Sequence, residues 1–528
     1  MMSRVSGLVR EGVLSRLFGA GSALDAFVVG FRIPNLTRDL FAEGALSSAF
    51  VPTFVDYLHN RDKKEAAHLA NLVATSIILL VGAICVLGVV FSPWLVGLVT
   101  QGWVRTAPEK YQLAVLLTQI MFPFLLLVAL AAQAMGILNA LNQFAVPAFS
   151  STWFNVGSVI AGIAIGFGLG PSLGIEPIVG MAIGVVIGGA LQLIWQVPSL
   201  WRAGFRFRPA FDFSHPGLRH IYRLMGPAII GNASVQINVL VNTFFATSIN
   251  DPVRGLDGPT AWLNYAFRFM QLPLGLFGVA IGTATLPAIG RSAASGDIDE
   301  FRETLARSLG LVFVLTVPAS VGLMILGPSI VGAIYEGVKF QPYDTQQTAI
   351  ALTYYALGLA GYAAVKVLAP AFYALNDSRT PMWTSLGSIA INVVMAWLLV
   401  RTFSMGHAGL ALSTSCVALF SFLVLFFAMR TRIGGVYGRR MRSTVLKVAA
   451  GSVLMAAAIW LSTTVIHDLM GASTFGNLVD LAISIPLGLA VVYAACRALK
   501  VEELEMAVRA FGGPLSRRFG NSGAKLNS

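Results

Sequence analysis

The sequence predicts an all-α polytopic membrane protein with about 14 transmembrane helices. Of its 528 residues, 56% are hydrophobic and only 11% are charged, whereas an average soluble domain has about 25% charged residues. The apolar runs are long enough to cross a hydrocarbon core, for which about 20 helical residues suffice. Period-two alternation, the pattern of a membrane β-barrel, does not recur. The composition therefore excludes a soluble globular protein and a disordered chain.

Apolar runs bounded by charged or turn-forming residues define the helices in order. The expected spans are 1–19, 23–58, 67–100, 111–140, 146–170, 176–203, 217–249, 259–290, 304–337, 348–375, 379–403, 407–431, 443–467 and 477–498. The first residues carry three arginines and no clean apolar segment, so no cleavable signal peptide is predicted. The three cysteines lie in apolar runs, which predicts core packing rather than disulfides or a zinc site.

Lysines and arginines are distributed asymmetrically between the loops of the two membrane sides. One side, with the C-terminal segment, holds 24 of them, and the other side holds five: Arg105, Lys110, Arg254, Lys339 and Arg401. The positive-inside rule places the rich side, and with it both termini, in the cytoplasm. The net charge of +12 is therefore read as a topology signal, and no basic soluble face is long enough for nucleic-acid binding.

An internal repeat divides the chain. Ala140-Leu141-Asn142 and Pro147 recur as Ala374-Leu375-Asn376 and Pro381, an offset of 234 from 140 to 374. Phe31-Arg32 recurs as Phe267-Arg268, an offset of 236 from 31 to 267. Each offset spans six helices, so the copies share one orientation, as in transporters whose lobes rock about a central site. The predicted domains are lobes 1–205 and 217–431, an extra helix pair 443–498 and a cytoplasmic tail 499–528.

Seven cations remain at membrane depth, where an arginine costs about 2.5–3.5 kcal/mol even on the lenient insertion scale. We expect Arg32 to belong to an ion-paired scaffold. An ion-paired scaffold and a water-filled cavity are equally good interpretations of Asp25, Asp39 and Glu43. Glu11 shares a helix face with Arg4. The other cations outnumber their nearby acids, and an excess of buried guanidinium groups suits a phosphate-bearing ligand. The predicted binding residues are Arg4, Arg10, Arg38 and Arg268, supported by Glu11, Asp25, Asp39, Glu43 and Lys366.

Catalytic signatures are absent from the sequence. No Gly-Lys dipeptide occurs, so there is no Walker A loop for ATP hydrolysis. The six histidines show no metal-ligand spacing. The sequence predicts a secondary transporter rather than an enzyme, with no cofactor and no metal.

Five stretches of the sequence are similar to one known family. They are FGAG, DAF, PNL and FAEGA within 18–45, GPAIIG at 226–231, LPLGLFGVAIGTATLP at 272–287, VKVLAPAFYA at 365–374 and HAGLALS at 407–413. The chain resembles the MurJ/MviN lipid II flippases of the multidrug/oligosaccharidyl-lipid/polysaccharide exporter superfamily, over essentially its whole length.

The resemblance implies a multi-pass inner-membrane transporter that moves lipid-linked peptidoglycan precursor to the outer leaflet for cell wall synthesis. It implies a cationic cavity, with Arg4, Arg10, Arg38 and Arg268 at the family's arginine positions and Asp25, Glu43 and Lys366 at its other charged positions. It also implies a groove for the polyprenyl tail at 443–467 and 477–498. The expected partners are lipid II, membrane lipids and proteins of cell-wall synthesis or division.

The sequence departs from the family pattern at three points. The family begins further upstream, so a longer first helix is expected than residues 1–19 provide. Glu11 stands where the family often has aspartate, which preserves the charge, and Gln271 stands where it often has an acid.

Other functions remain in competition at this point. An exporter of another lipid-linked oligosaccharide or of a drug shares the architecture, although cationic drugs favour an acidic or apolar cavity. A polyprenyl-phosphate enzyme would need a richer carboxylate cluster, and an assembly scaffold would leave the buried cations unexplained.

Overall fold

The computed structural model describes residues 2–40, 46–435 and 438–504, with the side chain of Arg4 outside the described part. Over these ranges the regular structure is helical apart from an isolated bridge between Asp251 and Gly255. Within the described ranges, ten helices are long and apolar enough to cross a membrane, or eleven if a pair bent by 41° at Gly358 is one span. This confirms the predicted all-α polytopic fold, with fourteen as an approximate helix count.

The chain forms two compact units, of which the first is Met1–Ala261 with Gly337–Gln341. Its helices are α1 (Met2–Phe18), α2 (Ser22–Arg38), α3 (Ser47–Asn60), α4 (Lys63–Val90), α5 (Ser92–Val99), α6 (Gln101–Thr106), α7 (Pro108–Met121), α8 (Pro123–Ala140), α9 (Ala145–Ile163), α10 (Gly170–Leu173), α11 (Pro177–Ile194), α12 (Val197–Arg202) and α13 (Pro216–Ala246). Its core joins α3, α4 and α8 around the buried rings of Phe50 and Phe54.

The second unit is Trp262–Glu336 with Pro342–Ser528. Its helices are α14 (Pro259–Pro273, whose first turn belongs to the first unit), α15 (Val279–Ser295), α16 (Ile298–Tyr335), α17 (Pro342–Leu357), α18 (Leu359–Ala374), α19 (Arg379–Trp397), α20 (Gly406–Arg432), α21 (Gly438–Met470) and α22 (Thr474–Ala498). The core joins α15, α16, α18 and α20. Helix α21 packs on α16 through Leu326, Met455 and Ile459, and α22 packs against this cluster through Leu481 and Val491.

Several predicted helices are divided where proline interrupts the backbone ladder. The expected helix 111–140 is α7 and α8, because Pro123 has no N–H to donate to the preceding turn. The expected helix 67–100 likewise breaks before Pro93, at the start of α5. The expected helix 23–58 corresponds to α2 and α3, and residues 41–45 between them, including Glu43, lie outside the described residues.

Glycines allow α9 and α11 to approach closely. A Cβ atom added at Gly184 would lie 2.4 Å from the carbonyl oxygen of Ser158 on α9, and one at Gly180 would lie 2.3 Å from Cα of Gly166, in the π-helical segment that continues α9. Small residues at such positions let helix backbones come into direct contact, which is a main source of helix association in membranes. The packing of these two helices therefore depends on the absence of side chains at these positions.

The repeated sequence motifs adopt the same local conformation in the two units. Asn142 and Asn376 both have left-handed backbone conformations, with φ of 59° and 56°. The N–H of the following residue bonds back to Leu138 in the first case and to Phe372 in the second, which is the Schellman ending of a helix. A π-helical segment then follows each, at Ala164–Leu169 and Leu398–Thr402, again 234 positions apart.

Candidate functional site

Arg10 lies in an enclosed position on α1. It is 9% exposed, and its Nη2 atom is 3.0 Å from Oε1 of Glu11. The guanidinium carbon is 5.8 Å from the ring centre of Phe31 on α2 and 5.4 Å from that of Phe154 on α9. Aromatic faces attract a cation through their negative π surface. The first unit therefore holds Arg10 between an acid and two aromatic rings.

Arg38 occupies the last turn of α2 and is more accessible than Arg10. Its Nε and Nη2 atoms both donate to Oδ1 of Asp39, at 3.1 and 2.8 Å. The side chains of Arg38 and Asp39 are 20% and 30% exposed. Asp39 thus orients the guanidinium group while part of it stays accessible to a ligand.

Both arginines pair with the residue that follows them in the sequence. Helix geometry separates adjacent side chains by about 100°, which predicts that Arg38 and Asp39 lie on different faces of α2. The long guanidinium arm closes that angle. Asp39 therefore compensates the charge of Arg38, and the excess of cations over acids around Arg38 is smaller than the sequence predicts.

Asp25 lies in a buried polar cluster together with Lys110. Asp25 is 0% exposed, and its Oδ2 atom accepts a hydrogen bond from Nζ of Lys110 at 2.9 Å. Lys110 also donates to Oδ1 of Asp257 at 2.7 Å and to the carbonyl oxygen of Leu256 at 2.9 Å. The ammonium group therefore has two carboxylates and a carbonyl around it, which satisfies its three donors.

Asp25 also stabilises the backbone where α14 begins. The N–H of Gly258 donates to Oδ2 of Asp25 at 2.9 Å, and the N–H of Ala261 donates to Oδ1 at 2.8 Å. The first N–H groups of a helix have no partner within the helix and carry partial positive charge. Asp25 therefore acts as a cap supplied by a distant part of the chain, a positioning role in the described structure.

Lys110 is buried, although its place between two apolar runs predicts a position in an outer loop. The internal repeat contained a usable signal. Lys110 is the third residue of α7, which begins with Pro108, and Asp344 is the third residue of α17, which begins with Pro342. Asp344 is also fully buried, and it accepts a hydrogen bond from the indole N–H of Trp262 at 3.1 Å. A charged residue at the same position of two apolar helices indicates a specific buried interaction.

The remaining predicted site residues lie apart from this cluster. Arg32 donates to the hydroxyl of Thr243 at 2.8 Å. In the second unit, Arg268 is partly buried on α14, and Lys366 is exposed on α18. A Cβ atom at Gly282 of α15 would lie 2.6 Å from the carbonyl oxygen of Lys366, so α15 and α18 are in backbone contact there. The side chain of Arg4 and all of Glu43 lie outside the described residues.

Comparison with known proteins shows the family of the chain. The family model described as lipid II flippase MurJ matches residues 14–479. The chain belongs to this family. The matched range includes Asp25, Arg38 and Arg268 but begins after Arg10 and Glu11. Membership in the MurJ family makes the chain a transporter and a multi-pass protein of the inner membrane.

Individual MurJ proteins match over most of their length. A probable lipid II flippase MurJ of Vibrio cholerae is 35% identical over 474 residues, which are 87% of this chain and 86% of the relative. The lipid II flippase MurJ of Burkholderia cenocepacia is 32% identical over 467 residues, with 87% of each chain covered.

Solved structures agree with this assignment. A lipid II flippase MurJ in an inward closed conformation is 26% identical, with a TM-score of 0.75 and coverage of 94% of this chain and 97% of that chain. An inward-facing multidrug resistance transporter of the MATE family reaches a TM-score of 0.67 at 16% identity, covering 82% of this chain and 94% of that one. At that identity the second likeness shows a shared fold alone.

Proposed function

We propose that the chain is a lipid II flippase that moves the lipid-linked peptidoglycan precursor from the cytoplasmic to the outer leaflet. The observation that carries the proposal is the match of the MurJ family model to residues 14–479. The partly accessible guanidinium group of Arg38 adds a donor suited to a diphosphate. The drug-exporter alternative has no comparable support, because the MATE structures share only the fold.

Transport by this chain is proposed to proceed by alternating access of two six-helix lobes, 1–205 and 217–431. Support comes from the repeated helix endings at Asn142 and Asn376 and from the shared orientation that a six-helix offset implies. With no Walker A motif in the sequence, the energy source is proposed to be an ion gradient or the membrane potential, which makes the protein a secondary transporter.

The orientation follows from the distribution of lysine and arginine. We place both termini in the cytoplasm, because 24 loop and tail cations fall on that side against five on the other. The pair α21 and α22 is proposed to hold the polyprenyl tail, supported by its many exposed apolar side chains, among them Leu454, Trp460 and Leu489. Proteins of cell-wall synthesis or division are proposed as further partners.

In this proposal the pyrophosphate of lipid II is bound by arginine. A guanidinium group offers two parallel N–H donors that match two phosphate oxygens, whereas an ammonium group acts as a point charge. Arg38 and Arg268, which are partly buried, are proposed to contact the phosphates together with Arg4. Arg10, held between Glu11 and two rings, is proposed to contribute charge from a more enclosed position.

Depletion and complementation with leaflet-specific detection of lipid II tests the function. Cells depleted of their own flippase and expressing this chain are expected to grow and to display lipid II in the outer leaflet. Arg38→Ala and Arg268→Ala are expected to abolish growth while the protein still inserts, because each removes a phosphate-binding fork. At the enclosed position, Arg10→Lys keeps the positive charge and removes the two parallel N–H donors of the guanidinium group, so it tests the two contributions separately.

Arg105→Ala is the matched control, because Arg105 is an exposed arginine of α6 that the proposal places outside the binding site. It is expected to support normal growth. Normal growth of the Arg38→Ala and Arg268→Ala strains at wild-type expression would show that the arginine assignment is wrong. Failure of the unmodified chain to display lipid II outside, at normal expression, would contradict the function itself.

A further inference from the structure

A cavity in the second unit lies outside the arginine positions described above. It has a volume of about 320 Å³ and lies between α16, α17, α21 and α22. The residues that line it are Met324, Pro328, Glu336, Pro342, Thr345, Gln346, Ala349, Ile350, Thr353, His467, Ala472 and Asn477. The volume is large enough for a small organic group.

Asn477 presents an unsatisfied amide to this cavity. The residue is 3% exposed, and among the described residues no hydrogen bond to its side chain is found. Its Nδ2 atom occupies space beside Gly332, where an added Cβ atom would lie 2.3 Å away. Buried polar groups are nearly always hydrogen-bonded in native structures. An amide held in place without a partner therefore points to a ligand in the cavity.

The charged lining of the cavity is acidic. Thr345 donates to Oε2 of Glu336 at 2.8 Å, and Oε1 of Glu336 has no donor among the described residues. Among the residues that the structure describes, no lysine or arginine lines the cavity. The remaining titratable lining residue is His467, whose Nε2 atom is 3.9 Å from the buried carboxylate of Asp480. Because a free carboxylate oxygen and an amide oxygen both accept hydrogen bonds, a cation with N–H donors fits the site.

A metal ion fits the cavity less well than an organic ammonium group. Within the part of the chain that the structure describes, no three His, Cys, Asp or Glu side chains are grouped closely enough to hold a metal. A primary ammonium group has three donors and needs only a few oxygen acceptors around it. Glu336 and Asn477 supply such acceptors, with the amide of Gln346 beside them.

The lining separates polar from apolar residues along the helices. Most of the polar lining groups lie at helix ends, with Glu336 just after α16, Thr345 in the first turn of α17 and Asn477 in the first turn of α22. The exception is Thr353, deeper on α17, whose hydroxyl donates to the carbonyl oxygen of Ala349 at 3.0 Å. Met324 lies 12 residues before Glu336 on α16, which corresponds to about 18 Å at the helical rise. Apolar Met324 and Ile350 therefore line the deeper part, as the boundary between head groups and acyl chains requires.

We propose that this cavity binds the ammonium head group of an ethanolamine phospholipid, with Glu336 as the anionic partner and the upper acyl chain against Met324 and Ile350. A choline head group carries no N–H donor, so the same site discriminates against it. The site is distinct from the arginines proposed to bind pyrophosphate, and the inference stands whether or not the chain moves lipid II.

Native mass spectrometry of the purified full-length chain tests the proposal with two lipids of identical acyl chains, one with an ethanolamine and one with a choline head group. The wild type is expected to retain the ethanolamine lipid about tenfold more strongly, as for one charge-assisted hydrogen bond. Glu336→Gln is expected to remove that preference, because it deletes the charge while its side-chain carbonyl still accepts from Thr345. Glu109→Gln, at an exposed acid of α7, is the matched control and is expected to keep it.

A variant with the opposite effect excludes a mere folding defect. Gln346 is exposed at the cavity, and Gln346→Glu is expected to strengthen retention of the ethanolamine lipid by adding a second carboxylate. Equal retention of the two lipids by the wild type, or an unchanged preference in Glu336→Gln, would overturn the proposal. Competition by soluble glycerophosphoethanolamine as strong as that by the lipid would assign the cavity to free amines and overturn the lipid assignment.

Discussion

Replacement of Lys110 by methionine is the sharpest test of the buried cluster on α2 and α7. Methionine keeps the approximate length and volume of the side chain and removes the ammonium group. The change deletes three hydrogen bonds, to Asp25, Asp257 and the carbonyl of Leu256. It also removes a cation that lies 4.4 Å from the ring centre of Trp103.

The expected loss of stability is large because both partners of the ion pair are buried. The side chains of Lys110 and Asp25 are 3% and 0% exposed. Removal of one partner from such a pair costs about 3–5 kcal/mol, because the other charge is left without compensation. The Arg61–Glu65 pair, at 46% and 52% exposure, is the matched surface control, and Arg61→Met is expected to cost about 0.2–1 kcal/mol.

Denaturant unfolding of the purified chain in micelles, followed by tryptophan fluorescence, measures both losses. The double variant Asp25→Asn with Lys110→Met is expected to be more stable than the sum of the single losses predicts, with a coupling free energy of about 0.5–3 kcal/mol. An asparagine at position 25 keeps one acceptor oxygen, so it accepts from the N–H of Gly258 or from that of Ala261 but not from both.

A loss for Lys110→Met that is no larger than that for Arg61→Met would refute this reasoning. Strictly additive effects of the two substitutions would show that Lys110 and Asp25 do not stabilise each other, whatever the distance between them.

Two further predictions concern packing and pH. Gly184→Ala places a Cβ atom 2.4 Å from the carbonyl of Ser158 and is expected to lower the free energy of unfolding by about 1–3 kcal/mol. The control Gly82→Ala, with no atom within 4 Å of its Cβ, is expected to cost nothing. Equal melting temperatures of the two variants in thermal unfolding would contradict the close packing. Burial, aided by His68, lowers the pKa of His215 below 6.5, so the folded state favours the neutral ring. The contribution of His215 to stability is therefore present above the pKa of the unfolded state and is lost as the pH falls below that value. His215→Phe is expected to flatten the stability profile between pH 7 and 5, and an unchanged slope would contradict this.

The fold was predictable because its signals are local. Hydropathy and helix-breaking prolines lie within single segments, and a repeat such as Asn142 and Asn376 needs only comparison of two segments. The expected and described helices correspond, apart from divisions such as those at Pro93 and Pro123, which proline chemistry explains, and the one at Gly358.

The partners of the charged residues were not predictable in the same way. Asp25 meets Lys110 from 85 residues away and the N–H of Ala261 from 236 residues away, and no local pattern specifies such pairs. The adjacent pair Arg38–Asp39 was missed for a different reason, because face geometry describes where Cβ atoms point and not where a long guanidinium arm ends. The assignment of Arg10, Arg38 and Arg268 to a binding site stays a prediction.

The central claim is that this chain moves lipid II across a bilayer by binding its pyrophosphate through arginine. The most direct measurement is the rate at which lipid II becomes accessible in the opposite leaflet of vesicles that contain only the purified chain. The account predicts translocation by the wild type and a rate at least about tenfold lower for Arg38→Gln, because the charge-assisted bonds to phosphate are lost. Absence of translocation by folded wild-type protein, or equal rates for the two proteins, would contradict it.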